Sequence, residues 1–142
     1  QEDGARVNKW EYEVGLAASD QENDFAIFRL ADVFLMKAEA LVRLGSDNAE
    51  ATRLINIIRA RGFGDTNHNY TSVTLKNVEM ERKFEMAWEM CSRQDNIRFG
   101  TFLDARFLKV KSEEYRKLFC VPQDAWQTNN KLVQNPGYPA FN

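Results

Sequence analysis

Apolar residues recur at helical spacing over three stretches of this chain, each bounded by a start or stop signal. From about Phe25 to Leu44, Ile27, Leu30, Ala31, Phe34, Ala38 and Leu41 share a face, and Phe28, Leu35 and Val42 widen the stripe. Arg29, Asp32, Lys37, Glu39 and Arg43 supply the polar side, with Glu39 and Arg43 one turn apart in the favourable order. Gly45 predicts the stop, because glycine enters the left-handed region without steric cost. Asp47, with Glu50 three residues on, has capping-box spacing. It opens a second helix that carries Ala51, Leu54, Ile55 and Ile58 on one face and ends near Arg61–Gly62. A third helix is predicted from near Thr74 to about Arg93, with Met80, Phe84, Ala87, Trp88 and Cys91 as its apolar face.

Two amphipathic helices joined by so short a connection pack as an antiparallel hairpin. Their length, and the small residues on the first, resemble a tetratricopeptide-like unit. Between the second and third helices, residues 62–73 read as an exposed loop rich in Gly, Asn, Asp and Thr. A further short helix is expected within 96–108. From Lys109 onward the pattern is irregular, and Pro122, Pro136 and Pro139 exclude long helices. At the other end residues 1–9 are polar, Trp10, Tyr12 and Val14 alternate with charges as in a short extended segment, and 18–24 form a polar loop. No hinge or composition break divides the chain. The expectation is one all-α domain over 1–142, built on tetratricopeptide-like helix pairs, with a polar segment 1–24 and an irregular wrap 109–142.

Composition narrows the function. With 142 residues, 44% of them hydrophobic and 28% charged, the chain is long enough for one sizeable core. A net charge of -2 with mixed signs offers no electrostatic footprint for nucleic acid. No segment approaches the roughly 20 apolar residues of a spanning helix. The chain starts at Gln1 without a signal peptide, as expected of a processed or an excised chain. Cys91 and Cys120 are the only cysteines, and buried free thiols are the expectation.

The most suggestive chemistry is a ladder of acids. Glu81, Glu85 and Glu89 stand at i, i+4 and i+8, a rise of about 6 Å between neighbours. A di-metal carboxylate site needs a Glu-x-x-His partner, and the only histidine, His68, lies in the loop. A metal site is therefore not expected, nor any cofactor. Glu85 and Glu89 have a spacing that permits a glycosidase pair, but two acids on one helix face seldom straddle a sugar. The structural reading is favoured: Arg82, Arg93 and Arg98 lie nearby, Arg59 and Arg61 end the preceding helix, and carboxylate–guanidinium bonds can lock helix to helix. Trp10, Phe63, Tyr70 and Trp126 lie outside the strong stripes. Trp10, Tyr70 and Trp126 are candidates to stack on a sugar ring, and each could equally be an anchor within the fold. Trp88 reads as core.

Four segments in order resemble the C-terminal region of the SusD/RagB family. Residues 28–40, Phe-Arg-Leu-Ala-Asp-Val-Phe-Leu-Met-Lys-Ala-Glu-Ala, are similar to its hallmark helix. Residues 56–61, Asn-Ile-Ile-Arg-Ala-Arg, resemble its Asn-x-Ile-Arg-x-Arg helix end. Glu81 to Gly100 matches its Glu-Arg-x-x-Glu-x-x-x-Glu-x-x-Arg-x-x-Asp-x-x-Arg-aromatic-Gly pattern, and residues 134–138 read Gln-Asn-Pro-Gly-Tyr, as many members end. The departures are Met90 where Gly is common, Phe99 where Trp is common, and Cys120 for the first proline of a Pro-Ile-Pro-like turn.

The resemblance implies a lipid-anchored, non-catalytic nutrient-binding protein on the outer face of the outer membrane. Such a protein hands oligosaccharides or other nutrients to a SusC-type TonB-dependent transporter. Nothing here corresponds to the family's N-terminal lipid-bearing cysteine, so this chain is expected to represent the helical scaffold portion. The residues matched are Arg29, Asp32, Glu39, Arg59, Arg61, Glu81, Arg82, Glu85, Glu89, Arg93, Asp95 and Arg98, expected to form a salt-bridge network joining the helices. No ligand-contacting residue is carried over. A helical-repeat scaffold for a protein partner is the alternative, and a glycosidase using Glu85 and Glu89 the second.

Overall fold

A computed structural model describes residues 9, 10, 14, 15 and 24–141. The chain divides into two compact units, Gln1–Met90 and Cys91–Asn142, where the sequence shows no composition break. Helices are the regular elements among the described residues, with one isolated antiparallel bridge between Arg106 and Lys109. The extended segment expected around Tyr12 and the polar loop expected at 18–24 fall largely outside the described residues.

In the first unit, α1 (Leu30–Arg43), α2 (Asn48–Phe63) and α3 (Leu75–Glu85) pack around Leu35, Leu54, Ile55 and Val78. Small residues Ala31, Ala38 and Ala51 let α1 and α2 approach closely. The hairpin between them is built as its sequence demands. Gly45 is left-handed at φ 60°, its N–H donates to Val42 O and that of Ser46 to Leu41 O. These two bonds close a Schellman motif on the carbonyls that α1 leaves unpaired. Asp47 then caps α2 by accepting from Glu50 N at 2.9 Å. Glu50's own carboxylate turns to Lys37 and Arg53, so only half of the capping box forms.

Three boundaries differ from the periodicity. The stripe of α1 extends back to Phe25, but the helix begins at Leu30; Arg29 is extended, and Ile27 and Phe28 are 81% and 82% exposed. α2 runs two residues past Arg61 and ends on left-handed Gly64, whose N–H reaches Ala60 O. The third helix stops at Glu85 instead of continuing to Arg93, because Trp88 and Met90 adopt φ of 65° and 61°. The separate α4 (Ser92–Arg98) follows in the second unit.

The buried side of α3 is also not the one expected. Val78, Glu79, Glu81 and Arg82 are inside, whereas Phe84 is 65% and Trp88 67% exposed. Glu81 and Arg82 face inward onto ionic partners of the facing helices, Arg59 and Asp32, while Glu79 is paired with Lys76 and Lys83 of α3 itself. Trp88 is therefore not core. The connection from α2 to α3 is exposed through Asn69, but Asn56 pairs with both the N–H and the carbonyl of Tyr70, and Asn48 binds Val73 O. These amides draw Tyr70 to half-burial and bury Val73.

The second unit has α4, a 3₁₀ turn at Glu114–Lys117 and α5 (Gln123–Thr128), with irregular chain between. Arg93 donates to the carbonyls of Arg116 and Lys117 and lies over Phe102 and Phe119. The Gln-Asn-Pro-Gly-Tyr run is tied to residues 118–121. Gln134 bonds both the N–H and the carbonyl of Val121, Asn135 donates to Phe119 O, and Tyr138 donates to Leu118 O. Gly137, at φ 88°, backs directly onto Tyr115, whose ring meets Tyr138 edge-on. Cys91 is half-buried and Cys120 exposed, with no disulfide between them, so neither thiol has the full burial expected.

Candidate functional site

Each acid of the expected ladder meets a cation, although only Glu81 and Glu85 stand on α3 and Glu89 lies beyond its end. Glu81 accepts from Arg59 at 2.8 Å, and Arg59 also donates to His68 O. Glu85 accepts from Arg29 and, at 2.5 Å, from Arg61. Glu89 takes Arg29 as a fork, Nε to Oε2 at 2.6 Å and Nη2 to Oε1 at 2.7 Å, and pairs also with Lys9. One turn inward, Arg82 is bound to Asp32 of α1 at 2.8 Å. The planar guanidinium suits this sharing, since its five donors can serve two carboxylates and a carbonyl at once.

The same cations close the end of α3. A helix leaves its last carbonyls unpaired and carries partial negative charge there. Arg29 Nη2 reaches Glu85 O at 2.6 Å, while Lys9 Nζ reaches Glu85 O and Ala87 O at 2.7 and 2.8 Å. Arg29 immediately precedes α1, so one side chain joins the start of α1 to the end of α3.

Burial alone pushes the carboxyls of Glu85 and Glu89 up, but the hydrogen bonds from Arg29, with those of Arg61 and Lys9, outweigh it. Both lie below the ordinary carboxylate value. A glycosidase general acid needs the opposite shift, a carboxyl that holds its proton near neutral pH. The pair is built to stay charged and to hold bases.

Beside this cluster lies an open cleft of about 620 Å³ lined by Trp10, Phe84, Trp88, Arg61 and Glu89 among others. Of the three aromatics singled out from the sequence, Trp10 borders this cleft and meets Phe25 at 5.5 Å. Tyr70 is elsewhere, with the Arg59 guanidinium over its ring at 4.1 Å. Trp126, in the second unit, is stacked on Phe141 at 5.1 Å. The three do not form one platform within a unit. Of the remaining charged positions, Glu39 pairs along α1 with Arg43, and Asp95 pairs with Arg98 along α4. His68 is exposed and stacks on Phe63. Among the described residues no group of three or more His, Cys, Asp or Glu could hold a metal ion. Lys9 is a member the sequence reading missed; it precedes α1 by some twenty residues, and no local periodicity connects it with α3.

The SusD family profile matches residues 4–107. The starch-binding protein SusD of Bacteroides thetaiotaomicron is 29% identical over 130 residues, which is 85% of this chain and 23% of that protein. A SusD-like protein P25 of Formosa agariphila is 38% identical over 99 residues, covering 63% of this chain and 17% of its own length. Among solved structures, a laminarin-binding SusD-like protein superimposes with a TM-score of 0.64 at 33% identity, over 78% of this chain and 22% of that one. A Bacteroides vulgatus protein assigned to sugar binding by its description alone gives the same TM-score at 30% identity, over 80% and 28%. The chain thus spans about a quarter or less of the curated relatives it matches. With its all-α fold and a profile match over most of its length, this chain belongs to the SusD family.

Proposed function

We propose that this chain is the helical scaffold portion of a non-catalytic glycan-binding subunit, held on the cell-surface face of the outer membrane, that delivers its ligand to a SusC-type TonB-dependent transporter. The observation that carries the scaffold reading is the pairing of family-matched charges across the helices: Arg29 and Arg61 with Glu85, Arg29 with Glu89, Arg59 with Glu81 and Arg82 with Asp32. Arg29, Glu85 and Glu89 fasten α1 to α3 and cap a helix end. The glycan reading rests on relatives named for binding starch and laminarin. No helix among the described residues is long and apolar enough to cross a membrane. Trp10, at the cleft, is the aromatic best placed to meet a sugar.

The test is a graft of this chain in place of the matching stretch of the Bacteroides thetaiotaomicron protein, titrated calorimetrically with starch- and laminarin-derived oligosaccharides. Saturable binding without turnover, retained by Glu85→Gln, is the expected result. Release of reducing sugar that disappears in Glu85→Gln would overturn the non-catalytic reading. Delivery is checked by capture of a TonB-dependent transporter from outer membranes on the immobilised graft.

A further inference from the structure

In the second unit residues 103–112 double back as a short hairpin. At its base Ser112 N donates to Leu103 O at 2.9 Å, and at its top Arg106 and Lys109 exchange both backbone bonds, at 2.8 and 2.9 Å. That pairing leaves Phe107 and Leu108 as a two-residue tip, each 92% exposed. Neither packing nor backbone preference accounts for an apolar pair here. Leu108 stands in the left-handed region at φ 62°, where leucine is strained and glycine or asparagine is usual. Three cations follow the tip along the stem: Arg106, Lys109 and Lys111. Arg106 Nη2 donates to Thr101 O and Lys109 Nζ to Asp104 O, each at 2.9 Å, and both carbonyls belong to the base side of the stem. The basic groups are thus drawn back while the apolar side chains lead. Each keeps further donors, and Lys111 is exposed. The acids of this segment, Asp104 and Glu113, flank the base and not the tip. Over the whole unit eight Lys and Arg stand against five Asp and Glu, a balance of +3 in a chain of net charge -2.

From this order of apolar tip and trailing cations we infer that the hairpin is a peripheral membrane contact, seating Phe107 and Leu108 in the interfacial layer of a bilayer that carries anionic head groups. Three arguments favour a lipid surface over a protein. The tip offers on the order of 400 Å² from its two side chains, about half of what one side of a stable protein complex buries. A convex tip needs a matching pocket in a protein partner, whereas the boundary between head groups and acyl chains receives apolar side chains without one. Lipid phosphates attract basic groups held at their level, and the trailing positions of Arg106, Lys109 and Lys111 suit that level once the tip is seated. The inference goes beyond the scaffold reading and needs neither the sugar nor the transporter. It concerns a contact of the hairpin's own and takes nothing from how the rest of the protein is held.

The test is cosedimentation of the chain with phosphatidylcholine vesicles, with and without about one third of phosphatidylglycerol. Binding to the anionic vesicles roughly tenfold or more stronger than to the neutral ones, and weakened by added salt, is the expected result. The double variant Phe107→Ser with Leu108→Asn loses that binding, while its thermal midpoint holds or rises because asparagine suits the left-handed turn. In Phe107→Trp the tryptophan emission moves to shorter wavelength on anionic vesicles, as an indole entering the interface does. Absence of vesicle binding, binding indifferent to anionic lipid, or binding kept by the double variant overturns the inference. A lowered thermal midpoint in the double variant would show the tip packed within the chain and overturn it as well. Self-association that the double variant abolishes, with no vesicle binding, would assign the tip to a protein contact and overturn it equally.

Discussion

Arg29 is worth more than one ion pair because three groups depend on it. Its removal leaves Glu85 and Glu89, whose side chains are 12% and 6% exposed, short of their shared partner and uncaps the Glu85 carbonyl. Breaking a buried pair from one side strands the other charge, which costs on the order of 3 kcal/mol. Arg29→Met is therefore expected to lower stability by roughly that amount in urea denaturation, while Arg61→Met, at a 61% exposed side chain, costs well under 1 kcal/mol. The acid limb follows from the same contacts. Glu85 and Glu89 are held below the ordinary value of 4.5, and Glu79 is lowered to about 2 by Lys83 and Lys76 against the upward push of burial. A depressed carboxyl contributes its stability in full above the unfolded value and loses it as pH falls through the folded one. The denaturation midpoint should thus be level between pH 6 and 8, fall below about pH 4.5 and continue falling toward about 2. In Arg29→Met the limb should be shallower, and an unchanged limb would show that the ladder contributes nothing. Met90 carries the converse case. It is left-handed at φ 61° and 86% exposed, so Met90→Gly removes a steric penalty and little packing. A gain of roughly 1 kcal/mol is expected, reduced in part by the greater freedom of glycine in the unfolded chain. The family resemblance marks this as a position where glycine is common, and its backbone angle supplies the reason.

Helices with local stop signals were legible, and helices stopped by distant partners were not. Gly45 and Asp47 bound α1 and α2 by bonds within a few residues, so the pattern alone places that hairpin. The end of α3 has no such signal. It is fixed by Arg29 and Lys9, both more than fifty residues away, and by a turn through Trp88 and Met90 that no propensity favours. The inward face of α3 escaped for a related reason. Periodicity weighs apolar residues, and here Glu81 and Arg82 are inside because the facing helices provide their counter-charges, while Glu79 is neutralised by Lys76 and Lys83 along α3. The acid ladder itself could be read as a set of helix-to-helix pairs, but not which base serves which acid. In the second unit the Gln-Asn-Pro-Gly-Tyr run is an element in its own right. A methyl group on Gly137 would fall on the Tyr115 ring, and its φ of 88° disfavours any side chain. Gly137→Ala should release the ties of Gln134 and Tyr138, seen as at least tenfold faster exchange at the Val121 amide, with the amides of α1 unaffected.

At the scale of the molecule, the list of exposed side chains carries the most information. Ile27, Phe28, Leu30, Phe84, Trp88, Phe107 and Leu108 are each more than 60% exposed in a chain of ordinary composition. Apolar side chains left this open, with Ile27 next to Phe28 and Phe107 next to Leu108 along the chain, are surfaces suited to a covering neighbour. The isolated chain is accordingly expected to bind an apolar dye such as anilinonaphthalene sulfonate in its folded state and to sediment with a concentration-dependent mass. A monomer silent to the dye at 100 µM would contradict this. The sequence could not distinguish these side chains from core, since the pattern that fills an interior is the same as the pattern that meets a neighbour. The aromatics expected to stack on a sugar have different surroundings: Trp10 borders the cleft, Arg59 lies over Tyr70, and Trp126 stacks on Phe141.

Arg59 offers a way to watch the first unit from within. Its guanidinium lies over the rings of Phe63 and Tyr70, while Nε is bonded to His68 O and Nη1 to Glu81. Ring currents above an aromatic face shield whatever rests there, so the Arg59 side-chain protons should resonate upfield of those of arginines that face no ring, such as Arg53 and Arg61. Its Nε proton, held by a carbonyl, should exchange slowly enough to be seen in a nitrogen-correlated spectrum. That single resonance touches α2, the connection through Tyr70 and α3 together, and its collapse on titration with acid would time the parting of α2 from α3 without any label.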